Sequence, residues 1–140
     1  MVFFDTNIFI YVVSGAPADR PNREIAQRLM VESEFGLSVQ VLQEFMDVTL
    51  RKTHLGLTCE EIADMVSIMA TYPLVETTVQ LAQQAFEIKT RFKIRYWDAT
   101  MVAAALKLGC HTLYSEDLNH GQDYGGVTAI NPFNSNVELL

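Results

Sequence analysis

Short apolar runs alternate with longer segments of helical periodicity along the chain. The apolar runs end at polar residues and predict buried strands at Val2–Phe4, Phe35–Val39, Leu74–Val75, Thr112–Ser115 and Val127–Ile130. The longer segments repeat apolar residues three and four positions apart, and they predict helices over 21–32, 40–51, 58–71, 78–92 and 96–108. Segment 7–13 is apolar throughout, so its periodicity leaves strand and helix open.

This alternation of strands and helices predicts the architecture. Strands separated by helices form parallel sheets with helices covering both faces. We therefore expect an α/β fold with a mostly parallel central sheet of four to five strands. Ligands of such sheets bind beyond the carboxyl ends of the strands. Polar residues that directly follow a strand are therefore the first candidates for function.

Length, cysteine content and charge limit the class of protein. The 140 residues fit one domain over 1–140, without internal repeats or an interdomain linker. Two cysteines are too few for a disulfide framework, and no apolar stretch is long enough for a membrane helix. We therefore expect a cytoplasmic protein with no membrane partner. The net charge of −7 argues against binding nucleic acid through broad positive charge.

Four acidic residues occupy positions that reach the predicted crevice. Asp5 follows the first strand, and Asp117 follows the fourth strand. Glu44 borders the buried stripe of helix 40–51, and Asp98 heads an apolar row in the first turn of helix 96–108. Each also has a purely structural explanation, such as a strand end, a helix cap or a first-turn acid favoured by the helix dipole.

Taken together, these carboxylates favour a metal site. Several carboxylates at one crevice repel each other unless a cation compensates them. A ligand set of oxygens without Cys or His suits Mg²⁺ or Mn²⁺ and does not suit zinc. Such ions activate water and bind phosphodiesters. The pattern therefore indicates metal-dependent phosphoryl chemistry.

Four segments resemble, in order, the motifs of the PIN-domain family. Segment 3–11 resembles the opening motif with its first acid, and segment 38–45 is similar to the strand-to-helix motif with the second. Segment 96–99 is similar to the third-acid motif. Segment 115–121, followed by 130–133, resembles the ending of VapC-type toxins. The chain is thus most similar to the toxin of a VapBC toxin–antitoxin pair.

The resemblance implies a PIN-like three-layer α/β/α sandwich and a Mg²⁺- or Mn²⁺-dependent endoribonuclease. By carry-over, Asp5 and Asp98 would be the principal metal ligands. Glu44 and Asp117 would complete the acidic cluster directly or through metal-bound water. Glu116 is an alternative to its neighbour Asp117 as the fourth acid, and the motif alignment favours Asp117. Lesser, supporting roles in orienting the carboxylates or the water would fall to Thr6, Asn7 and Ser115.

The resemblance also implies partners. These are an RNA substrate, a cognate VapB-type antitoxin and a second copy of the chain in a homodimer. An apolar stripe in helix 58–71 either belongs to the core, as its methionines suggest, or forms a face that binds a copy or the antitoxin. The stripe comprises Ile62, Met65, Val66 and Met69, with Leu57 just before the helix.

A basic segment lies just before Asp98. It either is a solvated helix end, where cations are favourable, or forms a rim that binds RNA phosphates. Tyr96 and Trp97 are candidates for base stacking, although burial in the core is the preferred interpretation of Trp97. The basic residues are Lys89, Arg91, Lys93 and Arg95.

Two other classes of function remain open. One is a PIN-like module that binds RNA or protein without catalysis, which the retention of all four acids argues against. The other is a phosphotransfer domain, either a phosphatase or a receiver. Such a phosphatase needs a second Asp two residues after its nucleophile, where this chain has Asn7. A receiver needs an acidic pair near the first strand and a late-strand Lys, and neither is evident.

Overall fold

The computed structural model of the protein describes residues 1–134. Short 3₁₀ turns at Pro17–Asp19 and Thr53–Leu55 lie before the second and fourth helices. In chain order the strands and helices are β1 (Val2–Phe4), α1 (Thr6–Val13), α2 (Arg20–Glu32), β2 (Phe35–Ser38), α3 (Val39–Arg51), α4 (Cys59–Met69), β3 (Leu74–Val75), α5 (Val79–Phe92), α6 (Tyr96–Lys107), β4 (Thr112–Tyr114) and β5 (Thr128–Ile130).

These elements confirm the predicted α/β fold, and their ends lie within two residues of the predicted ones. The undecided segment 7–13 belongs to helix α1. Asp5 caps this helix, because its Oδ1 accepts a hydrogen bond from the Thr6 N–H at 2.6 Å. The predicted capping box of α4 is also present, with Thr58 and Glu61 bonding each other's backbone N–H groups.

The sheet has five strands in the order β3-β2-β1-β4-β5, and each neighbouring pair of strands is parallel. The chain builds outward from β1 to β3 and then crosses back to β4. Right-handed crossovers place α1–α4 on one face and α5 and α6 on the other. The helix contacts agree, since α1 touches α2 and α3, α3 touches α4, and α5 packs on α6. This is the three-layer arrangement predicted for the chain.

Two features of the core position the candidate site. Aromatic rings fix the central strands, with Phe4 stacked on Phe35 and Phe35 stacked on Tyr72 at centroid distances of 4.5 and 4.2 Å. Helix α6 is buried over the whole of 98–105. Its run of alanines lets the helix approach its neighbours closely. Asp98 is therefore carried into the interior at the start of α6.

The structure corrects one sequence interpretation and decides between the two that were open for another segment. Trp97 does not join the core, because Asp98 and Ala99 occupy the buried positions of the first turn of α6 and the indole is 58% exposed. The apolar stripe of α4 is not spare surface, because its main residues are buried in the chain's own core. Those residues are Ile62, Met65 and Met69.

Among residues 1–134, the helices are all too short or too polar to cross a lipid bilayer.

Candidate active site

The site begins where β1 and β4 end side by side. Phe4 pairs with Tyr114, and the Asp5 N–H donates to the Tyr114 carbonyl at 3.0 Å. The next residue of each strand therefore meets its counterpart, and the Ser115 hydroxyl donates to Asp5 Oδ2 at 2.7 Å. The chain reverses direction across the sheet between these two strands, which is where open α/β sheets bind ligands.

Asp5 is the most deeply buried carboxylate of the site, with 4% of its surface exposed. Burial raises its pKa from 3.8 to about 7, and the negative charges of Asp117 and Glu44 act in the same direction. The hydrogen bonds from Ser115 and the Thr6 N–H oppose this rise. Without a nearby cation, the charged form of Asp5 is therefore unfavourable in this environment.

Helix α3 brings Glu44 to the same place. The helix starts directly after β2, where the Ser38 hydroxyl accepts the Val41 N–H at 3.2 Å as its N-cap. Glu44 Oε2 accepts the Thr6 hydroxyl at 2.8 Å, and Oε1 accepts the Gln40 side-chain amide at 2.9 Å. Thr6 thus contacts two of the predicted acids, through its N–H to Asp5 and its hydroxyl to Glu44.

The loop after β4 supplies the adjacent acids Glu116 and Asp117, whose side chains diverge. The Asp117 N–H donates to Ser115 Oγ at 3.1 Å, and Asp117 Oδ2 accepts the Asn7 side-chain amide at 3.1 Å. Glu116 accepts the Tyr11 hydroxyl at 3.1 Å. Burial raises the pKa of both carboxyls. The negative charge of Asp98 raises the pKa of Asp117 further, and the negative charge of Asp117 does the same for Glu116.

Asp98 is held by Arg95 within the same turn. The Arg95 Nε and Nη2 atoms donate to Oδ2 and Oδ1 of Asp98, both at 3.1 Å. The Arg95 side chain is 71% exposed and that of Asp98 only 11%. The guanidinium therefore covers the carboxylate from the solvent side. The hydrogen bonds and the charge of Asp98 raise the pKa of Arg95. The charges of Asp117 and Glu44 are near enough to raise it further.

The chemistry of the candidate donor atoms fits a hard cation. Every candidate ligand is a carboxylate oxygen, which is what Mg²⁺ and Mn²⁺ prefer. The raised pKa of Asp5 reflects buried negative charge that a cation would balance. As placed, no three His, Cys, Asp or Glu side chains within residues 1–134 converge enough to hold an ion. Both oxygens of Asp98 accept a hydrogen bond from Arg95, so Asp98 would bind an ion through the lone pairs that these bonds leave free.

A cleft of about 610 Å³ opens in front of these residues. Asp5, Glu44 and Asp117 lie on its floor and sides, while Asp98 faces an adjoining opening that Asp117 and Arg95 also line. Cations missed by the sequence reasoning line the far wall of the cleft. They are Arg51 and Lys52, and the His54 imidazole lines the cleft with them.

A usable signal for these cations was present in the sequence. Arg51 is seven residues after Glu44, which places both on one face of α3. The spacing of charged residues along α3 could therefore have identified the second wall of the cleft. The same face carries Asp47, whose carboxylate forms an ion pair with Arg51 at 3.6 Å.

The predicted basic rim is divided by the structure. Arg95 lines the cleft, and Lys93 lines the adjoining opening. Lys89 lies in the last turn of α5, and the Arg91 guanidinium packs over the Phe92 ring at 4.7 Å, so neither residue lines the cleft. Of the four predicted residues, Arg95 alone lines the main cleft.

Three solved structures share this fold over nearly their whole length. VapC20 of Mycobacterium tuberculosis, described as a sarcin-ricin loop cleaving toxin, has a TM-score of 0.69 and 22% identity over 91% of this chain and 97% of its own. FitAcB of Neisseria gonorrhoeae has a TM-score of 0.68 and 16% identity, covering 96% and 99%. A toxin–antitoxin complex of Klebsiella pneumoniae has a TM-score of 0.67 and 16% identity, covering 95% and 98%.

No curated protein matches the chain. The family model of the PIN domain matches residues 2–122, which include each of the four predicted acids. The chain belongs to the PIN-domain family.

Proposed function

We propose that the protein is a Mg²⁺- or Mn²⁺-dependent endoribonuclease and acts as the toxin of a type II toxin–antitoxin pair in the cytoplasm. The observation that carries the proposal is the meeting of Asp5 with Ser115 at the point where the sheet reverses direction. Glu44, Asp98 and Asp117 surround this pair on separate elements. The similarity to structures described as an RNA-cleaving toxin and as toxin–antitoxin complexes supports the same assignment.

The four acids would hold the ion, with Asp5 and Asp98 as principal ligands. A bound Mg²⁺ or Mn²⁺ supplies activation of water and neutralisation of charge at the phosphodiester. The chain's own contribution is to hold the ligands in place. Ser115 and the Thr6 N–H fix Asp5, and Asn7 orients Asp117.

Arg95 has a distinct part in this proposal. Its guanidinium neutralises Asp98 in the metal-free protein, through two hydrogen bonds. With Asp98 as a ligand of the ion, the exposed Arg95 guanidinium would be available to bind a phosphate of the RNA, which matches its planar donor geometry. We further propose three partners for the protein. They are single-stranded RNA, a VapB-type antitoxin that inhibits the enzyme, and a second copy of the chain.

A cleavage assay tests the proposal. The purified protein, free of antitoxin, is incubated with mixed cellular RNA in the presence of Mg²⁺ or Mn²⁺ and again with EDTA. We expect discrete RNA fragments with either ion and none with EDTA. Cleavage that persists in EDTA would contradict the metal mechanism. Failure of the folded protein to cut any RNA would favour a PIN-like module that only binds.

Ser115→Ala is expected to lower cleavage roughly 10- to 100-fold, the usual effect of losing a group that orients a metal ligand. The hydroxyl donates to Asp5 and accepts the Asp117 N–H, so its loss loosens both carboxylates and raises the pKa of Asp5 further. The measurement is the rate of RNA cleavage as a function of Mn²⁺ concentration. We expect a higher concentration to be needed for half-maximal activity.

Ser67→Ala is the matched control for this variant. Ser67 is an exposed serine of α4. Within residues 1–134, its hydroxyl hydrogen-bonds only to the Ala63 carbonyl, one turn earlier in the same helix. Cleavage by this control should equal that of the wild-type protein. An equal loss in both variants, or an unchanged Mn²⁺ requirement in Ser115→Ala, would contradict the role given to Ser115.

A further inference from the structure

Trp97 is a large aromatic side chain in an unusual position. It is the chain's only tryptophan, its side chain is 58% exposed, and it directly precedes the candidate ligand Asp98. Among the exposed large hydrophobic residues of 1–134, only Trp97 lines the cleft. The indole lines the main cleft together with Asp5 and Glu44, and it also lines a shallow hollow beside that cleft.

The ring is held in place by its neighbours. The Tyr96 ring packs against the indole in a T-shaped arrangement, with the centroids 5.1 Å apart. The Trp97 carbonyl accepts the Thr100 hydroxyl at 2.5 Å and lies in the first turn of α6, a helix buried along most of its length. The indole is thus a preorganised flat surface, which lowers the entropy lost when a partner stacks on it.

The surroundings of the indole favour a nucleobase over an apolar protein side chain. Gln40, Gln43, Glu44 and Asp47 form the rest of the hollow. Within the hollow, Gln40 already bonds Glu44 and Asp47 pairs with Arg51. In the main cleft, however, an apolar side chain against the indole would also desolvate the charged groups that line it, at a cost in free energy. A base offers an aromatic face to the indole and polar edges to amides and carboxylates.

Cations that line the cleft could bind the phosphates of the RNA backbone that carries such a base. Arg95 lies two residues before Trp97 in the chain, and Arg51 and Lys52 lie at the carboxyl end of α3. All three residues line the cleft. The carboxylates of the same cleft disfavour phosphates beside them, unless a metal ion is bound there. The phosphates are therefore expected at these cations and at the ion, with a base directed toward Trp97.

We propose that Trp97 stacks an unpaired RNA base next to the bond that is cut, and so positions the substrate in the cleft. This inference rests on the proposed ribonuclease function and adds a specificity element to it. Unpaired bases stack on aromatic side chains in single-stranded RNA recognition. The enzyme would accordingly cut single-stranded or looped RNA and leave duplex RNA intact.

Fluorescence of the single tryptophan gives a direct test. The probe is an unstructured RNA of about eight nucleotides, within the usual site size for a single-strand binder. It is titrated into the Asp5→Asn protein, so that binding is measured without cleavage. We expect the indole fluorescence to be quenched by this RNA but not by an abasic ribose-phosphate chain of the same length.

Affinity measurements on variants complete the test. In the Asp5→Asn background, Trp97→Ala should weaken binding of a labelled RNA roughly tenfold or more, while Trp97→Phe should retain most of the affinity. In the otherwise wild-type enzyme, Trp97→Ala should raise KM far more than it lowers kcat. Phe86→Ala is the matched control, since Phe86 is a 61% exposed aromatic residue on α5 that does not line the cleft.

The outcomes separate this inference from the proposed function. Equal RNA affinity with and without the indole, in an enzyme that still cleaves RNA, overturns the role of Trp97 alone. Absence of both RNA binding and cleavage in the folded protein overturns the ribonuclease proposal together with it. Quenching by a tryptophan-free amphipathic peptide but not by RNA assigns the indole to a protein partner and also overturns the inference.

Discussion

Asp5→Asn is expected to unfold at a higher temperature than the wild-type protein at about pH 8 in EDTA, although it removes a proposed catalytic group. The buried carboxylate has a folded-state pKa of about 7 against an ordinary value of 3.8. At about 1.4 kcal/mol per pKa unit, the charge costs the fold up to about 4 kcal/mol. Asparagine can still accept the Thr6 N–H, so the cap of α1 is retained.

The difference in stability between Asp5→Asn and the wild-type protein depends on pH, because the pKa of Asp5 is raised in the folded state. Between about pH 4 and pH 7 the folded wild-type protein binds more protons at Asp5 than the unfolded chain does. Its stability therefore falls as the pH rises through this range and levels off above about pH 7. The advantage of Asp5→Asn should be largest above pH 7 and vanish near pH 4.

Thermal or urea unfolding at several pH values measures this effect. Asp64→Asn, at an exposed position of α4, is the control and should stay within about 0.5 kcal/mol of wild type throughout. Mn²⁺ should stabilise the wild-type protein more than Asp5→Asn, since the ion binds the charged carboxylate. A variant that is less stable than wild type at about pH 8 would show that Asp5 is not under electrostatic strain.

Asp98→Asn is expected to reduce RNA cleavage by at least about 100-fold, the scale on which loss of one preorganised charged or polar group slows an enzyme. The amide keeps the size of the side chain but not the charge, and it offers Arg95 one acceptor oxygen in place of two. Because Asp98 is close to the surface end of a buried helix, the fold should survive. The measurement is the initial rate of cleavage with saturating Mn²⁺.

Unfolding temperature and RNA binding separate the possible causes of such a loss. Asp98→Asn should bind single-stranded RNA in EDTA at least as tightly as wild type, because the Arg95 guanidinium is less neutralised. Asp64→Asn, purified in the same way, should cleave at the wild-type rate, which would show that the loss in Asp98→Asn does not come from purification or from removing one negative charge elsewhere. Wild-type activity in Asp98→Asn would remove this residue from the site.

The sequence was sufficient to predict the fold because its signals were local and consistent. Strand lengths, helical periodicity and the Thr58 capping box each depend on a few neighbouring residues. Segment 7–13 could not be decided in this way, because both a buried helix and a buried strand are apolar on all sides. The deciding contact, from the Thr6 N–H to Asp5, is visible only in the structure.

The site was less predictable because its contacts join distant segments. The acids were found from their positions after strands and on helix faces, but the pairing of Arg95 with Asp98 depends on side-chain rotamers. The exposure of Trp97 depends on how α6 is rotated about its axis, since the alanines that follow leave its own periodicity weak. The spacing from Glu44 to Arg51 along α3 was readable in the sequence, but the cleft that Arg51 and Lys52 line forms only when α3 packs on its neighbours.

The meeting of Asp5 with Ser115 also bears on the order of events during synthesis. The two residues are 110 positions apart, so the first strand leaves the ribosome long before its partner exists. Until β4 has been made, Asp5 lacks its hydroxyl donor, and Asp117 is absent as well. A nascent or truncated chain that ends before β4 would therefore carry the opening motif of a nuclease without a completed centre. In the proposed ribonuclease, this topology would delay activity until the chain has nearly been finished.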